Sequence, residues 1–554
     1  MVEKPRQPMR DRGRALLQRY GWLLAWALLL GATVYAYRGV FSLGFTDEDA
    51  LGDFAAARVD NPGDLLRQLS SRLTGGLAGR TANFYRPVVM LHYALLRALF
   101  GEHPLGYQIW DLALHLGVVA MVGWLISSLG GKRVEAWGVA AVTALHPLGL
   151  EVVPAVARNI DLLLPLFVIG SLVAVVHKRA VTAGVLGLLA LGTKEPAISV
   201  LPLVLLLWWT LHGRSSPTRD VAEGRGLRVL GLIFGLGVPA FLAVRTWVLH
   251  GVGGYQHHES LIVLGEVGKN LSTGAWESLF PGWSPELLKV FSSPRRQVFS
   301  GLALLAALVA AAVRSWRRGR RLPGYGFLFW LLPMLLFAAV DFSKRRFFYL
   351  PEIGLTVALL FWLEDRVLRW PALGILLSML PASPLFHRDR SWELTDQVTR
   401  SVTAAVARAA ASLPEGTTIM LIDICVQIDS DPTRARTFWR DGRTLNLCTD
   451  YRSLQGWAND RFHRKLRFRP LTTVIPRGPM PAPDLVPVPG GVLLRRETMS
   501  REVEPRFAEG WAIEQAPGRL TLRPILEKQN VKLLVVGGDE SVLLDVQPIS
   551  FEER

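Results

Sequence analysis

The sequence predicts a mainly α-helical, polytopic membrane bundle followed by a smaller α/β region. Three observations carry that expectation. Half of the 554 residues (50%) are hydrophobic, only 19% are charged and the mean hydropathy is +0.28, whereas a soluble chain carries roughly 25% charged residues. The first two thirds hold many apolar runs near the roughly 20 residues needed to cross a bilayer, and the last third holds none. The formal net charge is +16, with Lys and Arg collected in short loops between apolar runs, as in the cytoplasmic loops of membrane proteins. With no nucleic-acid motif beside it, that charge speaks against a nucleic-acid partner.

The N-terminus, Met1 to Tyr20, is basic, with Lys4, Arg6, Arg10, Arg12, Arg14 and Arg19. The apolar run 21–43 after it is too long for a signal-peptide core and reads as an uncleaved anchor with a cytoplasmic N-terminus. Further runs fall near 104–128, 134–148, 155–176, 180–193, 196–211, 227–249, 298–313, 324–340, 347–363 and 369–383, which with the anchor give eleven spans. Lys194, Glu195 and Pro196 split the apolar stretch 180–211. A charged pair at the bilayer centre costs at least ~3 kcal/mol, so the pair belongs at the tip of a tight hairpin.

The segment Pro87 to Phe100 is fourteen residues long and suits an interfacial or re-entrant helix better than a span. Charge parity agrees. If it does not span, the cytoplasmic loops hold Lys132 and Arg133, Lys178 and Arg179, Arg214 to Arg228, Arg314 to Arg321, and Arg366 and Arg369. If it spans, all of these move outside, against the positive-inside rule. The outer face then receives the first loop 44–103, the turn 146–158, the tip at Lys194, the second large loop 250–297, the turn 341–346 and everything after about 384. The sequence thus divides into a membrane domain, 1–383, and an extracytoplasmic α/β domain, 384–554. The second begins with a helical stretch near 388–412, followed by strand-like runs Thr417–Ile424, Gly491–Arg495, Leu520–Arg523 and Lys532–Val536. Cys425 and Cys448 lie in it and can pair in an oxidising space or stand as independent thiols.

Charged residues concentrate on the outer face. Asp47, Glu48 and Asp49 directly follow the first span. Read plainly they cap a helix; read functionally they are catalytic carboxylates or metal ligands. The other outer turns hold His146, Glu151, Arg158 and Asp161, then Lys194 and Glu195, then Asp341, Lys344, Arg345 and Arg346, with Arg86 before the short helix. Lys344-Arg345-Arg346 breaks the positive-inside pattern, and a bound phosphate is a natural reason. Structural ion pairing between helix ends is the competing explanation. His257-His258-Glu259 reads as a solvated loop rather than a metal site, because adjacent histidines point apart. Asp111 and His115, at helical spacing within a span, can form an interior polar pair of functional or purely structural kind.

In order and spacing these residues resemble the GT-C superfamily of polytopic glycosyltransferases. The motifs are closest to those of the transmembrane, TPR-containing O-mannosyltransferases and the protein O-mannosyltransferases, without the TPR array. The resemblance covers roughly residues 20–365. It rests on Asp47-Glu48 after the first span, Tyr85-Arg86-Pro87 before an apolar helix, Phe100-Gly101, and a helix with Tyr107 and His115. It continues through His146-Pro147 with Glu151 and Arg158, Lys194-Glu195, and Arg346 with Tyr349, Leu350 and Pro351. The chain departs from the pattern where Gln108 and Asp111 replace a His-x-x-Asn, where Arg158 to Asp161 is one residue longer, and where Arg345 replaces a Glu. These departures bear on the sugar and the acceptor more than on the reaction class.

The resemblance implies an enzyme of the outer leaflet that moves a sugar from a polyprenyl-phosphate carrier to an acceptor hydroxyl on a lipid, glycan or protein, with inversion. It implies a multi-pass protein in contact with membrane lipids, and the α/β tail points to a bacterial inner (plasma) membrane. Asp47 takes the position of the general base, with Asp49 as the rival assignment and Glu48 between them. Arg158, Lys194 and Arg346, backed by Arg86, are the cations for the departing phosphate, and Tyr85, His146, Glu151, Glu195 and Tyr349 complete the substrate-binding set. No cofactor is implied, since fixed cations on the leaving phosphate remove the need for a metal, although the three acids have the chemistry to hold one. A transporter or flippase of lipid-linked sugars is the alternative that also explains many spans and buried charges. Transporters often show inverted repeats and Gly/Pro-broken helices near the midplane, and this sequence shows neither repeat symmetry nor midplane clustering.

Overall fold

The computed structural model describes residues 9–46, 50–73, 84–212, 221–251, 264–280, 294–338, 345–386, 391–413, 418–422, 425–429, 444–448, 451–463, 467–472, 484–488, 491–495, 511–516, 519–524, 531–537 and 540–545. Asp47, Glu48 and Asp49 lie outside the described residues, as do His257-His258-Glu259 and Lys344.

Helix α1 (Met9–Ala36) passes through a 3₁₀ turn, Arg38–Ser42, into the first loop, which holds α2 (Ala50–Ala56), α3 (Pro62–Leu69) and α4 (Pro87–Phe100). The bundle continues with α5 (Pro104–Ser128), α6 (Arg133–Leu145), α7 (Gly149–Val152), α8 (Ile160–Val176), α9 (Ala180–Thr193) and α10 (Ala197–His212). It ends with α11 (Val221–Leu249), α12 (Leu264–Leu279), α13 (Pro294–Arg317), α14 (Arg321–Ala338), α15 (Tyr349–Trp362) and α16 (Arg369–Met379). Proline opens α3, α4, α5 and α13, where its missing N–H is no loss because a first-turn N–H has no partner within the helix. Asn61 caps α3 by accepting from the Asp64 N–H at 3.1 Å, and the Asp64 carboxylate accepts in return from the Asn61 N–H at 3.1 Å.

Among the described residues five helices are long and apolar enough to cross a membrane: 104–128, 156–176, 225–249, 298–317 and 321–338. Shorter apolar helices, including α4, α9 and α10, accompany them. In 156–176, 83% of the apolar window is buried inside the protein, whereas in 225–249 only 11% is. The first is therefore a central helix. The second turns Leu232, Leu236 and Trp247 outward, which is stable only in an apolar surround. The protein is a mainly α-helical membrane protein.

The bundle core is built from interdigitating residues such as Val118, Leu164, Val168, Ala190, Val204, Trp330 and Leu355. At one end of the bundle lie the basic connections, where Lys132 meets Glu364 at 2.7 Å and Arg318 meets Asp365 at 2.6 Å. The other end carries the first loop, the α9–α10 tip and two helices from the last third of the chain, α17 (Ser391–Ser412) and α18 (Tyr451–Phe462). These two share an apolar core with α2: Ala50, Leu51 and Phe54 pack with Val402, Val406, Leu454 and Trp457.

The remaining elements are strands: β1 (Thr418–Ile422), β2 (Cys425–Asp429), β3 (Thr444–Cys448), β4 (Arg467–Thr472), β5 (Asp484–Val488), β6 (Gly491–Arg495), β7 (Trp511–Ala516), β8 (Arg519–Pro524), β9 (Val531–Gly537) and β10 (Glu540–Asp545). One four-stranded sheet has the order β10-β9-β1-β4, with β1 parallel to both neighbours, and another, β5-β6-β8-β7, is antiparallel. The strand expected within Thr417–Ile424 is β1, in the mixed four-stranded sheet, and β2 after it pairs separately with β3. That second pairing sets Cys425 directly opposite Cys448.

Candidate functional site

Four cations converge at the α9–α10 tip. Arg86 precedes Pro87, and the clash of a proline ring with the residue before it disfavours helical backbone there. Arg86 accordingly sits at φ −137°, just outside α4. Gly192 lets α9 close on the start of α4: a Cβ there would lie 2.7 Å from Val88 Cγ2. The chain then turns extended at Lys194, φ −158°. As a result Glu195 is forked between two guanidinium groups. Arg86 Nη2 donates to Oε2 at 2.7 Å, and Arg245 Nη1, from the end of α11, donates to Oε1 at 3.0 Å. Lys194 faces the other way and donates to Asp161 at the start of α8. The Phe347 ring lies below it, 4.7 Å from Lys194 Nζ and 5.8 Å from the Arg346 guanidinium.

Electrostatics marks this as an unusual place. Burial pushes the Glu195 carboxyl up, but Arg86 and then Arg245 outweigh it and hold the group at about 2. Burial lowers the Lys194 ammonium to about 8; Asp161 opposes the shift, and the fields of Arg86 and Arg346 add to it. Cations that crowd a buried site repel one another unless carboxylates lie among them, and here Glu195 pairs with Arg86 and Arg245 while Asp161 pairs with Lys194.

The other sequence-derived residues form a second group. Arg158 Nη1 donates to the Glu151 carbonyl at 2.7 Å and to its carboxylate at 3.2 Å, and its guanidinium lies 5.0 Å from the Trp392 ring. His146 Nδ1 accepts from the Leu148 N–H at 3.2 Å, which leaves Nε2 toward Glu352 at 3.2 Å. Tyr349 and His115 are 2.6 Å apart, and His115 Nε2 lies 3.1 Å from the Ala144 carbonyl. A carbonyl can only accept, so Nε2 carries the proton and Nδ1 accepts from the tyrosine hydroxyl. Tyr85 stands apart, donating to the Leu69 carbonyl at 3.0 Å and packing on Phe241.

One expectation changes. Asp111 and His115 are both fully buried but do not pair with each other. His115 is taken by Tyr349, and Asn159 lies beside Asp111. Arg245 and Glu352 also join the site without having been singled out for it, and Asp161, counted among the outer-face charges, pairs with Lys194. Arg245 and Glu352 are charges inside apolar runs, a signal that the cost of burying charge in lipid makes readable.

A cleft of about 390 Å³ opens beside the first loop, between Phe45, Phe54 and Pro104 on one wall and Arg400, Thr403 and Trp457 on the other. Among the described residues no cluster of three or more His, Cys, Asp or Glu has the geometry of a metal site.

No protein-family model matches the chain. It is similar to the Homo sapiens protein described as Protein O-mannosyl-transferase TMTC4, at 26% identity over 436 residues, 64% of this chain. The aligned part is 58% of that relative, so the chain spans less than two thirds of its length.

Proposed function

We propose that this protein is a membrane glycosyltransferase that takes a sugar from a polyprenyl-phosphate-linked donor and places it, with inversion, on an acceptor hydroxyl. The observation that carries this reading is the convergence of Arg86, Lys194, Arg245 and Arg346 on one buried hairpin tip. Similarity to a protein O-mannosyl-transferase supports it. The acceptor oxygen attacks the anomeric carbon while Asp47 takes its proton. The bond from that carbon to the phosphate oxygen breaks, and the leaving phosphate keeps the electron pair. Preorganised cations stabilise that developing charge without reorganising. The cleft beside Phe45 and Trp457 gives the acceptor a way in.

The test is transfer from a labelled polyprenyl-phosphate sugar by the reconstituted protein. A covalent product is expected; a flippase yields none. Arg346→Ala is expected to weaken donor use about ten- to a hundred-fold, the effect of removing a charge-assisted contact of about 1.5–3 kcal/mol, with insertion and folding intact. Unchanged donor affinity together with loss of folded protein would mean that Arg346 serves only a structural ion pair.

The same reading places the first loop and everything after about 384 on the extracytoplasmic side, with ten of the eleven spans between them. Contacts of α17 and α18 with the first loop support a shared side for these regions. Membrane-impermeant thiol reagents, applied to intact cells after reduction, are expected to label Cys425 and Cys448. Labelling only after lysis would overturn this topology.

A further inference from the structure

We propose that the connections α5–α6, α13–α14 and α15–α16 form a binding site for one anionic phospholipid, with its headgroup on their arginines and part of one acyl chain in the apolar groove beside them. The site lies at the end of the bundle away from the α9–α10 tip and does not rest on the sugar-transfer reading.

Ion pairs join the three connections into one surface. Glu364 takes Lys132 at 2.7 Å and Arg320 at 3.4 Å. Asp365, whose side chain is 3% exposed, takes Arg314 at 3.3 Å and Arg318 at 2.6 Å. The segments 132–135, 314–321 and 364–369 carry nine Lys and Arg against three acids, so these shared carboxylates leave a surplus of positive charge. Arg133, Arg317, Arg321, Arg366 and Arg369 are exposed and make no ion pair among the described residues.

Three of the helices that reach this surface, 104–128, 298–317 and 321–338, are long and apolar enough to cross a membrane. The surface therefore stands where such helices leave the hydrocarbon, at the level of lipid headgroups. Trp316 and Trp370, next in sequence to Arg317 and Arg369, are 43% and 72% exposed, and exposed tryptophan is favoured at that level. A guanidinium meets a phosphate with paired N–H donors, and an anionic headgroup supplies the negative charge that the chain lacks here.

The groove is the second, independent observation. It has a volume of about 60 Å³ and is walled by α5, α8, α10, α14 and α15, with Leu129, Leu172, Leu207, Leu322 and Phe329 among its lining. Its one polar side chain, Tyr325, already donates to Thr210 Oγ1 at 2.6 Å. Leu322 directly follows Arg321, and Leu129 lies three residues before Lys132, so the apolar lining begins at the basic surface. Phe329 is seven residues further along α14 than Leu322, about 10 Å at the helical rise. A general attraction between basic loops and an anionic leaflet needs no such slot; a lipid held at one place does.

The experiment offers the full chain, purified in a neutral detergent, mixed vesicles of phosphatidylglycerol and phosphatidylcholine, and counts retained lipid by native mass spectrometry. Saturable retention of one phosphatidylglycerol, preferred at least about tenfold over phosphatidylcholine, is expected. The triple variant Arg317→Gln, Arg321→Gln, Arg366→Gln is expected to lose that preference, while Glu364 and Asp365 keep their partners. The double variant Arg133→Gln, Arg369→Gln is expected to lower the preference by about threefold or more, which keeps the test open if the triple variant folds poorly. Glycerol phosphate carries the charge without a tail, and at the lipid's own concentration it is expected not to displace the lipid. Displacement would make this a site for free phosphate and overturn the proposal. Equal retention of the two lipids, uptake that never saturates, or parental preference in either folded variant overturns it as well.

Discussion

Asp47→Asn is expected to slow the sugar-transfer step by about a hundred-fold or more while leaving donor binding in place, the loss that follows removal of a general base. Asparagine keeps the size of the side chain and is nearly as good a helix cap, so a purely structural triplet would tolerate it. Single-turnover rates with bound donor separate the chemical step from binding. Asp49→Asn is the control, because the two acids lie two residues apart just after the first span. Full activity in both single variants and in the double variant would rule out a carboxylate base and bring the transporter reading forward.

The second large effect is expected at Lys194. This side chain is 4% exposed and donates to Asp161, itself 5% exposed. Lys194→Met leaves a buried carboxylate without its partner, a change that typically costs about 3–5 kcal/mol, so the yield of folded protein should fall sharply. Adding Asp161→Asn removes the stranded charge and should restore folding. Donor binding should stay weak in the double variant, because the cation for the phosphate is still missing. Recovery of parental donor affinity in that variant would show that Lys194 serves the ion pair alone.

A pH profile gives an independent reading of the same group. The Lys194 ammonium is held down to about 8, by burial first. It is charged below that pH and neutral above it, so parental donor affinity is expected to fall as pH rises through about 8. The double variant should lack that step. The direction is fixed because deprotonation removes a positive charge facing an anionic ligand.

Local physics made much of the fold legible in the sequence. The runs 104–128 and 180–193 coincide with α5 and α9, and the break at Lys194 is the tip between α9 and α10. Each follows from quantities summed over neighbouring residues: apolar length, the cost of charge in lipid, and the missing N–H of proline. The same cost of charge pointed to Lys194, Glu195 and Arg86 as residues of one surface.

What the tertiary structure alone decided is partnership. Asp111 and His115 share a helix and its spacing, yet Tyr349 from α15 claims the histidine and Asn159 lies beside the acid. Arg245 meets Glu195, and Asp396 meets Gly44, across fifty residues in one case and 352 in the other. A carboxylate in a sequence carries no mark of which distant cation or N–H will satisfy it. That choice is made when packing brings surfaces together, because a buried charge must find a partner among whatever groups the fold places within reach. By itself the sequence determined a membrane bundle with charges gathered at one face. Three-dimensional packing turned those charges into a forked glutamate and a buried lysine.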